Sequence, residues 1–183
     1  MERKKMAHAI GLIAWGYLFL YFNLNLGSLN LIPSWVGYLL MGKAIKELKE
    51  ASPAMGLLGP LCILLVALEL WFWALTLIGI NSQHYLLQLL SLLLAVAALY
   101  FHFQLLTNLV EALGRAGETW RKELLNLRTV RTVLALPVLW KEHFAVTVIL
   151  AIAGVLVGIS ISAVLFWIRN AFLKSLCQAE EKE

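Results

Sequence analysis

Aspartate is missing altogether from the 183-residue chain, and charged residues of all kinds make up only 14% of it. Without Asp there is no aspartyl nucleophile, and the commonest carboxylate partner of magnesium-bound phosphates is gone. Cysteine is nearly absent too, at two residues. Cys62 and Cys177 lie far apart, and neither belongs to a CxxC or a Cys/His pair with metal spacing, which argues against a disulfide scaffold or a metal site. G-x-S-x-G, the P-loop, G-x-G-x-x-G and H-E-x-x-H are likewise absent. Catalysis is therefore not expected, and no cofactor is.

Apolar residues fill the space. They amount to 61% of the chain, with a mean hydropathy of +0.81, where soluble domains average about 45–50% apolar and about 25% charged. That combination excludes a disordered chain, a nucleic-acid reader and an ordinary soluble enzyme. It implies an all-α, polytopic membrane helical bundle whose first partner is the lipid bilayer. The net charge of +4 suits basic residues kept on the cytoplasmic side. No run reaches the four to eight clustered Lys/Arg of a lipid-headgroup patch.

Crossing about 30 Å of hydrocarbon takes about 20 helical residues. Residues 6–23, 55–80, 85–106 and 144–168 meet that length directly. The first follows Arg3-Lys4-Lys5 and ends in Asn23-Leu24-Asn25 without a small-x-small cleavage site, so it reads as an uncleaved span with a cytoplasmic N-terminus. Residues 31–48 and 124–140 are shorter and carry charges, and charge placement decides them. If 31–48 did not cross, Lys43, Lys46 and Lys49 would face outward and the uncharged Asn81-Ser82-Gln83-His84 turn inward, inverting the positive-inside rule. If 124–140 also crosses, Arg169, Lys174 and Lys182 return to the cytoplasm. The sequence thus favours six spans within one membrane domain, with five as the alternative, and a cytoplasmic linker over 107–123.

Glu69 is the candidate for chemistry. It falls near the middle of the third span, where an acidic residue costs about 2.5–3.5 kcal/mol and so seeks a partner, water or a ligand. Phe72 and Trp73 follow at i+3 and i+4 on the same helical face. A carboxylate beside aromatic faces suits an organic cation or proton exchange; a structural carboxyl hydrogen-bonded to a neighbouring helix is the competing reading. His102, reckoned from the ends of its span, lies about 13 Å from Glu69 in depth and reads as an inner-interface histidine.

Asn23-x-Asn25, then Leu31-Ile32-Pro33-Ser34-Trp35-Val36-Gly37-Tyr38, then Lys43 and Glu47-Leu48, resembles a group of small bacterial multi-span membrane proteins. Their first span ends in Asn-rich sequence, followed by Leu-Pro, an acidic residue, apolar residues and Gly-Tyr. Ser34 stands here where that group has the acidic residue. The resemblance covers about fifty residues and implies a multi-pass protein of the bacterial cytoplasmic membrane, without an activity. Physically the motif is a helix entry. Asn23 and Asn25 are turn formers that can satisfy a backbone leaving the membrane, and they are secondary ligand candidates.

Two functions follow as expectations. One is binding or movement of a small molecule, as a transporter or transporter subunit. The other is a non-catalytic subunit that joins a membrane-protein partner, or a second copy of itself, through the small-residue surfaces of Gly11, Gly16, Gly37, Gly42, Gly154 and Gly158. Topology is directly testable in a background lacking Cys62 and Cys177. Cysteines at Ser28, Ser82 and Glu142 should react with a membrane-impermeant thiol reagent in intact cells, while cysteines at Lys46 and Arg121 stay protected. Labelling at Lys46 without lysis would refute the second span.

Overall fold

A backbone in hydrocarbon must satisfy its own polar groups, and the apolar runs do so as α-helices. A computed structural model describes residues 3–21, 25–26, 29–30, 33–79, 85–114, 118–136 and 144–180. Six helices account for nearly all of them: α1 (Arg3–Tyr21), α2 (Ser34–Leu48), α3 (Pro53–Leu77), α4 (Tyr85–Leu113), α5 (Glu118–Ala135) and α6 (Phe144–Glu180). A small antiparallel ribbon follows α1, with β1 (Asn25–Leu26) on β2 (Leu29–Asn30) and Asn25 opposite Asn30.

Among the described residues, three segments are long and apolar enough to cross a membrane: Pro53–Leu77, Tyr85–Leu113 and Val148–Ser175. Their side chains point mostly outward. Leu57 is 81% exposed and Leu86 76%, and apolar patches of this extent belong against lipid rather than water. The helices follow one another around a ring in chain order, and α6 returns to pack on α1. Helix α1 supplies much of the interior through Ile10, Ile13, Ala14 and Tyr17, all fully buried.

Local sequence explains the ends. Pro33 is extended, at φ −70° and ψ 140°, and α2 begins one residue later. Pro53 opens α3, where a missing N–H costs nothing. Pro60 lies inside α3 and cannot donate to the carbonyl of Gly56. Gly79 and Gly114 stop α3 and α4 with φ of +74° and +51°, a conformation that side chains disfavour.

Helical boundaries differ from the apolar runs. The linker expected over 107–123 is mostly helix, since α4 continues to Leu113 and α5 starts at Glu118. The reason is amphipathy: Leu105, Leu106, Leu109, Val110 and Leu113 are buried at helical spacing, and polar residues occupy the other face. Trp120 in this region packs on Trp167 of α6, ring centres 6.1 Å apart. Helix α5 covers only the first part of 124–140; Pro137 and Trp140 lie outside the described residues.

The tightest crossing joins α1 and α2. A Cβ at Gly37 would fall 2.7 Å from the Gly16 carbonyl oxygen, and one at Gly16 would fall 2.9 Å from the Gly37 carbonyl oxygen. These obstacles are backbone and cannot rotate away. Gly154 has nothing within 4 Å of such a Cβ. Gly37→Ala should therefore destabilise the protein by about 1–3 kcal/mol in detergent unfolding. Gly154→Ala should be neutral or stabilising by up to about 1 kcal/mol, through helix propensity. Equal effects at both positions would contradict the close crossing.

Candidate functional site

Polar side chains in an apolar interior must find one another, because water is not there to satisfy them. His102 of α4 is 1% exposed. Its Nε2 lies 3.2 Å from the Tyr38 hydroxyl of α2, and its Nδ1 lies 3.3 Å from the Tyr17 hydroxyl of α1. A neutral imidazole has one N–H and one bare nitrogen, so one phenol accepts and the other donates. The rings also stack at an angle, with centroids 5.3 Å (Tyr17) and 5.6 Å (Tyr38) from the imidazole. Phe101 closes the cluster edge-on against both Tyr38 and His102. His102 is thus buried at the centre of the bundle, its ring shared between α1 and α2.

Helix α5 aims two guanidinium groups at the same interior. Arg131 Nε donates to the Tyr21 hydroxyl at 2.7 Å, and its guanidinium carbon sits 5.7 Å from the Tyr17 ring centre. Arg128 Nη1 donates to Thr107 Oγ1 at 2.7 Å, with its guanidinium carbon 4.1 Å above the Phe103 ring of α4.

Glu69, Phe72 and Trp73 occupy one side of α3, all half-buried. Phe72 packs on the apolar core. Trp73 meets Trp35 of α2 edge-on, ring centres 6.3 Å apart. Among the described residues the Glu69 carboxylate makes no hydrogen bond or ion pair. The Trp35 indole N–H is buried and has no acceptor. Glu69 and His102 are not in contact. Tyr38 links them, because its hydroxyl meets His102 and it feels the charges of both Glu69 and Arg131. One turn deeper, the Cys62 thiol donates to the Tyr38 carbonyl at 3.2 Å.

Asn25 takes part in the ribbon after α1, whose second strand meets α3, and Asn23 lies outside the described residues. Sequence reasoning missed the Tyr17–His102–Tyr38 cluster and the inward arginines. The spacing of Arg128 and Arg131, three apart and hence on one helical face, was the available signal.

Among known proteins, no family model, no curated protein and no solved structure matches the chain.

The histidine cluster makes a stability prediction. Removing one partner of a buried hydrogen bond costs about 1–3 kcal/mol, whereas replacing all partners by apolar groups of similar shape approaches neutrality. Tyr17→Phe, Tyr38→Phe and His102→Leu should each lower the thermal midpoint in detergent. Tyr17→Phe and Tyr38→Phe combined with His102→Leu should lose less than the sum of the three. A strictly additive triple variant would contradict a shared network.

Proposed function

We propose that the chain is a six-span protein of the bacterial cytoplasmic membrane, with a cytoplasmic N-terminus, that binds or moves a small molecule between α2 and α3. The observation carrying this reading is a pair of groups on neighbouring helices that have no partner among the described residues, the Glu69 carboxylate and the Trp35 indole N–H. A carboxylate placed in an apolar interior for packing alone would take a hydrogen bond from its surroundings. Here it is flanked by Phe72 and Trp73, with Trp35 edge-on to Trp73. An organic cation fits this chemistry, its charge set against the carboxylate and its substituents against aromatic faces.

The alternative, a non-catalytic subunit held by glycine surfaces, has less support. Gly11 faces the Arg169 side chain, Gly16 and Gly37 face each other, Gly42 faces Cys62, and Gly158 lies against the Tyr21 ring. Those surfaces are used within the chain. Gly154 alone of the six stands clear.

Thermal unfolding in detergent with tetraethylammonium and tetraphenylphosphonium as probes tests the site. Either probe should raise the wild-type midpoint, and Glu69→Gln should abolish the rise while leaving the fold intact. Trp73→Leu should weaken it. Glu69→Leu without ligand should match or exceed wild-type stability, because an apolar side chain replaces an unpaired polar one. Equal responses of wild type and Glu69→Gln would end the case for Glu69.

A further inference from the structure

We propose that Arg128 and Arg131 form an anion site, distinct from Glu69, that receives a phosphoryl group inside the bundle between α1, α4 and α5. The two residues lie one helical turn apart on the inward side of α5, and their contacts reach α4 and α1 respectively. Among the described residues neither makes an ion pair. Arginine does not lose its proton in proteins, so both charges persist. Uncompensated charges packed among apolar and aromatic side chains are costly, and buried charges are ordinarily paired.

What surrounds these groups orients them without neutralising them. Phe103 lies under Arg128, and the Tyr17 and Tyr21 rings flank Arg131. Thr107 spends its only donor on the Phe103 carbonyl at 2.7 Å and accepts from Arg128. Tyr21 accepts from Arg131 and keeps its own O–H to donate. Arg128 Nε is buried with no acceptor at all. Each guanidinium carries five N–H donors, and a single side-chain acceptor meets each of them here.

The missing component is therefore an acceptor-rich group carrying about two negative charges. A phosphoryl group matches in charge and in geometry, because planar guanidinium forks grip its oxygens two at a time. A monocarboxylate would leave one arginine unbalanced. The same phosphoryl chemistry is offered by a lipid headgroup and by a soluble phosphate, and an experiment separates the two.

The full chain, purified in neutral detergent, is unfolded thermally in sodium phosphate and in sodium chloride of matched ionic strength. Phosphate should raise the wild-type midpoint by several degrees, and Arg128→Gln and Arg131→Gln should each remove the rise. If the Gln variants fold poorly, Arg128→Lys with Arg131→Lys keeps both charges and the fold but loses the forks, and most of the rise with them. A second arm uses nanodiscs of phosphatidylcholine, with or without phosphatidic acid. Arginine-dependent stabilisation by phosphatidic acid alone assigns the site to a lipid. Stabilisation by free phosphate in phosphatidylcholine discs assigns it to a soluble ligand. An equal phosphate effect on wild type and the arginine variants, or no effect in either arm, overturns the proposal. Response to organic cations through Glu69 is a separate readout, so failure here leaves that reading standing.

Discussion

The crossing of α1 and α2 at Gly16 and Gly37 is the constraint from which the interior follows. Each carbonyl oxygen occupies the space that a Cβ on the other helix would need, so the two backbones run as close as backbones can. The next residue on each helix is a tyrosine. Tyr17 and Tyr38 are consequently delivered together into the middle of the ring, where both meet the one imidazole of α4. Move the helices apart by the width of a methyl group and His102 loses a partner on one side. A backbone contact with no chemistry of its own thus decides the hydrogen bonding of the core.

Around that centre the charges are kept separate. Glu69 on α3 and Arg131 on α5 both act on the Tyr38 phenol, yet they form no ion pair with each other. In a medium of low dielectric, opposite charges free to move would collapse together. Here the helices hold them on different sides of the tyrosine, with aromatic rings between. The contact of His8 with Glu47, at 3.0 Å, is on the surface, where ion pairs contribute about 0–1 kcal/mol.

The apolar helices were legible because hydrocarbon imposes a long, unbroken run: α3, α4 and the first part of α6 fall where the composition places them. Glu69, Phe72 and Trp73 on one side of α3 were legible too, from helical spacing alone. The linker over 107–123 holds the end of α4 and the start of α5, on either side of Gly114, and their amphipathic helical character shows only once burial is known. Depth counted from helix ends says nothing of which way the His102 side chain faces, and its contacts with Tyr17 and Tyr38 follow only from the fold. Arg128 and Arg131 share a helical face by their spacing, but which helices they meet follows only from the fold. Trp35 becomes informative only once its N–H is seen to lack an acceptor.

Helix length has a consequence of its own. At 1.5 Å per residue, α3 is about 37 Å long and α4 about 43 Å, and the apolar stretch Val148–Ser175 of α6 is about 42 Å. Each overshoots a hydrocarbon layer of about 30 Å. Such mismatch is relieved by tilt or by thickening of the surrounding lipid. Helices of this length fit a bilayer of ordinary thickness by tilting within it.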